Sequence, residues 1–231
     1  MTQLTIRTAD GEAPAFEYGT GPSALLFIDG LGMRPAMHEM AAKLAGGGYR
    51  VLMPDLFYRI GPYAPLDPAK FMADADARNA WFKKLMGTPL SGYMDDTRAY
   101  LAHLEGKVGV TGYCMGGRLS LVAAETFPDR IAAVAAYHPG GLVTGAPDSP
   151  HLHVAKIKGE VYIGGAIEDA NFTDEQRQQL DDALTAAGVD HTVELYQARH
   201  GWVPTDTQVH DPAAAARHWD TLFALFAKKL R

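Results

Sequence analysis

KVGVT at 107–111 runs directly into GYCMGG at 112–117, and this junction decides the fold. A short apolar run gives way to Gly-x-Cys-x-Gly-Gly, then to a helical pattern from Met115 to Phe127 that stops before Pro128. A strand that breaks sharply into a helix, with small residues two before and two after a nucleophile-type side chain, is a nucleophile elbow. Here Cys114 stands where serine is common. The N-terminus of a helix favours negative charge and therefore a thiolate. The next backbone N–H, that of Met115, points to where an oxyanion would form. A lone cysteine is more often a small buried hydrophobe, but the glycine-flanked junction favours a nucleophile.

Outward from this point, short apolar runs alternate with helical stretches. Strands are expected at Ala24–Ile28, Val51–Met53, Lys107–Thr111, Ile131–Tyr137, Glu160–Ile163 and Val193–Tyr196. Helices are expected at Ala36–Leu44, Pro68–Met86, Gly92–Leu104, Met115–Phe127, Thr173–Ala187 and Pro212–Leu230. In the second of these, Phe71, Ala75, Ala80, Phe82 and Leu85 are the core candidates. Thr173 with Gln176 reads as a capping box, and Asp211-Pro212 as a cap followed by proline at the first helical position. Leu4–Arg7 and Pro14–Tyr18 flank Asp10-Gly11, a hairpin signature. The expected fold class is α/β: a mostly parallel sheet with helices on both faces, an N-terminal hairpin, and one domain spanning 1–231.

Composition narrows the function. The chain has 231 residues, 47% of them hydrophobic and 21% charged, as in a soluble globular protein. The formal charge is 21 − 27 = −6, with no basic run. Nucleic acid and anionic membrane surfaces are therefore not expected partners. One cysteine allows no internal disulfide, and no apolar run approaches the roughly 18–20 residues of a membrane span. The start, MTQLTIRTADGE, lacks a signal-peptide pattern, so the cytoplasm is the simplest compartment. A monomer or weak homo-oligomer is expected.

A thiol nucleophile needs a base, and the base an orienting acid. Asp169 follows the strand EVYI and an expected loop at 164–168, and His200 follows the strand around VELY. Both lie beyond strand C-termini, where the sites of open α/β sheets collect, in the chain order nucleophile, acid, histidine. Glu168 is the rival acid. Asp29, directly after the apolar run ALLFI, must be paired or solvated; it bonds Cys114 or an arginine, or it caps the loop that follows. The turn that follows it makes the N–H groups of Gly30 and Leu31 candidates for a second oxyanion donor. Tyr113, His138 and Trp202 are candidate pocket residues, and so are Phe57, Tyr58 and Trp81, although most aromatics are core. His151-x-His153 lacks further ligands at metal spacing, and the glycines at 46–48 and 140–141 match no phosphate-binding pattern, so no metal or cofactor is expected.

FIDGLG at 27–32, GYRVLMPDLFYR at 48–59, GYCMGG at 112–117, GGAIED at 164–169 and RHGW at 199–202 together resemble the dienelactone hydrolase family of α/β-hydrolases, over nearly the whole chain. The resemblance implies a Cys114–Asp169–His200 triad and oxyanion donors from the backbone of Met115 and of Gly30 or a neighbour. It also implies a lactone or small activated ester as substrate. Two departures stand out. The family's glutamate that contacts the resting thiol is replaced by the shorter Asp29. An arginine that holds a substrate carboxylate about one turn after the histidine is replaced by Pro204. Arg78 is the nearest candidate for the second such arginine, and Arg34, Arg59 and Arg118 are further candidate anion contacts. Rival readings are a thiol redox or electrophile sensor on the same scaffold, and a binding module with a degenerate site.

Overall fold

The computed structural model describes residues 1–231. Eight strands form one sheet: β1 Thr2–Arg7, β2 Glu12–Tyr18, β3 Ser23–Phe27, β4 Arg50–Pro54, β5 Val108–Tyr113, β6 Ile131–Tyr137, β7 Glu160–Ile167 and β8 His191–Arg199. Their spatial order is β1-β2-β4-β3-β5-β6-β7-β8. The hairpin β1–β2 joins antiparallel to β4, and every pairing from β4 to β8 is parallel. The seven α-helices are α1 Pro35–Gly46, α2 Pro68–Ala73, α3 Ala75–Leu85, α4 Leu90–His103, α5 Met115–Thr126, α6 Asp174–Ala186 and α7 Pro212–Leu230.

The central strands are covered on both faces, which is why they read as continuous apolar runs. Every residue of β3 and β5 is buried. Two glycines of β5 show what covers them. A Cβ on Gly109 would meet Leu230 and Phe226 of α7, whereas one on Gly112 would fall on Gly116 and Ser120 of α5. Residues three apart in a strand point to opposite faces, so α5 and α7 sandwich β5. The parallel strands all end on one edge. That edge receives the loops after β3, β4, β5, β6, β7 and β8. From β3 the chain moves outward to β4, then crosses back to β5, so the switch in strand order opens a crevice between the ends of β3 and β5.

Two expectations change. The stretch 68–86 is not one helix. Asp74 adopts an extended backbone, φ −100° and ψ 98°, and its carboxylate caps Ala77 N, ending α2 and starting α3. The break re-phases the apolar face. Phe71, Trp81 and Leu85 are buried, while Ala75, Ala80 and Phe82 are exposed. Strand β7 also runs four residues past Ile163, through Gly164-Gly165. A Cβ on Gly164 would lie 2.9 Å from the rings of Tyr137 and Tyr196 on the adjoining strands. Gly164 makes room for aromatic neighbours within the sheet, and neither glycine marks a loop. The capping box at Thr173 and the Asp211 cap with Pro212 form as read.

Candidate active site

Cys114 caps α5 with φ 55° and ψ −116°, a conformation that costs on the order of 1–3 kcal/mol for a residue with a side chain. The surroundings enforce it. Cys114 N donates to Tyr137 O at 3.1 Å, and Cys114 O accepts from Gly117 N at 3.1 Å. A Cβ on Gly112 would collide with Gly116 O, and one on Gly116 with the carbonyls of Phe27 and Ile28. The elbow therefore packs backbone against backbone, and the half-buried thiol stands at the crevice. Met115 N–H opens α5 and has no intrahelical acceptor.

His200 and Asp169 meet across neighbouring loops, with His200 Nδ1 2.7 Å from Asp169 Oδ2. The other carboxylate oxygen accepts Asn171 N at 2.8 Å and Asn171 Nδ2 at 3.1 Å. Burial alone would raise the Asp169 carboxyl. The bond and charge of His200, with the two Asn171 donors, outweigh burial and hold it below the usual carboxylate value. Burial would likewise lower His200, but its bonds and charge interactions with Asp169 and Cys114 push it up to about 10. Glu168 is turned away by its left-handed backbone, φ 53°, and pairs with Arg199 at 2.8 Å in solvent. Asp169 is the acid that reaches the histidine.

The loop after β3 resolves Asp29. Its carboxylate takes two bonds from Arg34, Nη1 to Oδ1 at 2.6 Å and Nη2 to Oδ2 at 2.8 Å. It is thus paired with an arginine, not with Cys114. Asp29 Oδ1 also accepts Leu31 N at 2.9 Å. That occupies the Leu31 N–H and removes it from the oxyanion candidates. Gly30 N–H has no acceptor in the protein, and Gly30 O accepts Trp81 Nε1 at 2.7 Å.

Tyr113, His138 and Trp202 do not line open space. All three are buried and form a layer behind His200. The His138 ring meets His200 edge-on at 5.1 Å between centroids and Trp202 at 4.9 Å. Its backbone is left-handed, φ 37°, with N–H bonded to Gly164 O at 2.7 Å. Neither ring nitrogen has a hydrogen-bond partner. Burial, then the neighbouring histidines, holds His138 well below the ordinary histidine value, so it is neutral beside His200. Trp202 stacks on Tyr196 at 4.8 Å, and Tyr113 OH pairs with His218 Nε2 at 2.9 Å. β5 supplies Tyr113 to this wall, the turn after β6 supplies His138, and the stretch after β8 supplies Trp202.

The arginines divide cleanly. Arg34 is held by Asp29 and Asp206, and Arg59 by Asp10 and Asp96. Arg78 bonds the Met72 carbonyl at 2.6 Å. Arg118, one turn along α5 from Cys114, has a buried Nε with no partner. Phe57 and Trp81 are core residues, packed edge to face at 5.8 Å. Tyr58 OH bonds Thr8 and Asp96 and belongs to the Arg59 cluster. His151 Nδ1 is taken by Ser149 Oγ at 2.8 Å, and no cluster of three potential metal ligands occurs. No helix is long and apolar enough to cross a membrane.

Four residues escaped the sequence reading: Asn171, Tyr63, Arg34 as partner of Asp29, and Asp206. Asn171 carried a signal, since Asp-x-Asn is the spacing of an Asx turn. Tyr63 OH accepts Met33 N at 3.0 Å and donates to Asp55 Oδ1 at 2.8 Å, bracing the loop after β3. No local pattern marks it.

A strained cysteine at a strand-to-helix elbow, with a histidine–acid pair arriving from two later strands, defines the α/β-hydrolase class. The model of the dienelactone hydrolase family matches residues 14–230, and the chain belongs to that family. It is a dienelactone hydrolase-like hydrolase. A carboxymethylenebutenolidase of Rhodococcus opacus is 29% identical over 218 residues, covering 92% of this chain and 83% of its own. Among solved structures, a Klebsiella pneumoniae chain described as a dienelactone hydrolase superposes with a TM-score of 0.84 at 19% identity, over 98% of both chains. A dienelactone hydrolase-like promiscuous phosphotriesterase from metagenomic libraries gives 0.78 at 20% identity, over 100% of this chain and 99% of its own.

Proposed function

We propose that the protein cleaves lactones or small activated carboxylic esters through Cys114, with His200 as base and Asp169 as its orienting acid. The observation that carries this is the 2.7 Å bond between His200 Nδ1 and Asp169 Oδ2 beside the strained Cys114. That bond fixes the tautomer and leaves Nε2 to take the thiol proton, and it favours the imidazolium that results. The thiolate then attacks the carbonyl carbon. The N–H groups of Met115 and Gly30, neither with a protein acceptor, receive the developing oxyanion, each worth about 3–4 kcal/mol where such donors have been removed. The imidazolium returns the proton to the departing alkoxide or enolate, leaving a thioester on Cys114. Water, deprotonated by His200, hydrolyses the thioester and regenerates the thiol. Enol-lactones and aryl esters suit a thiol nucleophile because their leaving groups depart more readily than amines.

The family relatives named carboxymethylenebutenolidase suggest a dienelactone substrate, whereas Pro204 replaces one expected carboxylate contact and Arg34 and Arg59 are already neutralised. A panel of cis- and trans-dienelactone, p-nitrophenyl acetate and a longer-chain ester, with wild type and Cys114→Ala, tests the proposal. Turnover by wild type that is abolished in Cys114→Ala is expected. Retained turnover in the variant would overturn it.

A further inference from the structure

Arg34 is wholly buried between two carboxylates that come from opposite sides of the site. On one side it grips Asp29 with two bonds, at 2.6 and 2.8 Å. On the other, Nε bonds Asp206 Oδ2 at 2.7 Å and Nη2 bonds Asp206 Oδ1 at 3.3 Å. Nη1 also reaches Gly32 O at 3.3 Å. Asp29 belongs to the loop after β3, which carries Gly30. Asp206 lies six residues after His200, and its neighbour Thr207 bonds Gly201 O at 2.8 Å, tying Asp206 to the histidine turn. A buried ion pair is a weak source of stability, because desolvation offsets the attraction, and its better-attested use is to specify a geometry.

The geometry specified here is that of one peptide. The Gly30–Leu31 peptide is held at both ends, its carbonyl by Trp81 Nε1 at 2.7 Å and its N–H by Asp29 Oδ1 at 2.9 Å. Arg34 in turn fixes that carboxylate with its two bonds. The preceding peptide, which carries Gly30 N–H, is fixed by Gly32 N donating to Asp29 O at 3.3 Å. We propose that Asp29, Arg34 and Asp206 form a latch that fixes Gly30 N–H as an oxyanion donor by tying the loop after β3 to the loop that carries His200. The latch rests on the proposed hydrolase mechanism and adds to it three positioning residues, none of which touches the substrate.

Asp206 is the accessible end, with its side chain 28% exposed in a surface loop, so Asp206→Asn and Asp206→Ala spare the core. Two rates separate positioning from general disruption. Acylation by p-nitrophenyl acetate, read as the first burst of nitrophenolate, passes through an oxyanion. Alkylation of Cys114 by iodoacetamide forms a C–S bond, expels iodide and needs no oxyanion donor. The expected result is alkylation within twofold of wild type and acylation slowed about tenfold or more in Asp206→Ala, less in Asp206→Asn, with KM little changed. Unchanged acylation in both variants would overturn the latch, and so would a parallel fall of acylation and alkylation. A wild type without ester turnover defeats the hydrolase mechanism and the latch together. A wild type that turns over esters, with Asp206→Ala equal to it, defeats the latch alone.

Discussion

At the scale of single residues, His200 is the pivot. Its bonds and charge interactions with Asp169 and Cys114 raise its pKa to about 10, which favours the imidazolium formed when Nε2 takes the thiol proton. Asp169→Asn removes that charge and the acceptor that fixes the tautomer. The variant should lose activity on the order of 10³–10⁴-fold in kcat, with its fold intact. In an NMR titration the His200 pKa should be raised in the wild type, and in the variant it should drop. The placement of Cys114, Asp169 and His200 at strand ends was legible in the sequence: Cys114 and His200 directly follow β5 and β8, and Asp169 lies two residues past β7. Asp206 was not, because its partner Arg34 lies 172 residues away and neither stands in a recognisable local pattern. Leu31 was misjudged for a related reason. Two adjacent N–H groups look equivalent in sequence, and only the fold shows which one Asp29 consumes.

Among the elements, α5 carries the most constraint. Its first turn lies so close to the end of β3 that Gly116 admits no side chain. Gly116→Ala should push the elbow off the Phe27 and Ile28 carbonyls and cost roughly 1–3 kcal/mol or more by thermal or denaturant unfolding, with loss of activity. Near the other end of α5, Glu125 is buried and one of its oxygens is unpartnered. Burial pushes its carboxyl up to about 8, with Lys156 and Arg118 only partly opposing. An acid whose pKa is raised by folding is neutral in the native state and ionises first when unfolded, so its contribution turns against folding as pH rises from about 4.5 to 8. Glu125→Gln should therefore flatten the decline in melting temperature over that window, gaining more at pH 8 than at pH 5. The α2–α3 break was missed because the alanine-rich stretch at 68–86 keeps helical composition through Asp74. The lesson from β7 is the reverse, since Gly164-Gly165 looks like a loop until the tyrosines of the strands flanking Gly164 are seen.

For the whole molecule, the parallel sheet gathers six loops at one edge, and the site is assembled from four of them: after β3, β5, β7 and β8. The loop after β6 supplies the buried wall. Its His138 and the nearby His218, the latter pushed by burial down to about 3, are neutral in the native state. A base depressed by folding takes its proton first in the unfolded chain, so stability should fall as pH drops below about 6.5. Asp169, held low by His200, adds to the fall at more acidic pH. Melting temperatures between pH 7 and pH 4 should decline, and replacing His218 by Gln should reduce the slope. The measurement that tests the central claim most directly is intact-mass and peptide-mapping spectrometry of enzyme quenched with acid during turnover of p-nitrophenyl acetate. The expected result is one acetyl group on the peptide containing Cys114, removable by hydroxylamine and absent from Cys114→Ala. Acetyl carried on another residue, with Cys114→Ala hydrolysing the ester at the wild-type rate, would contradict it.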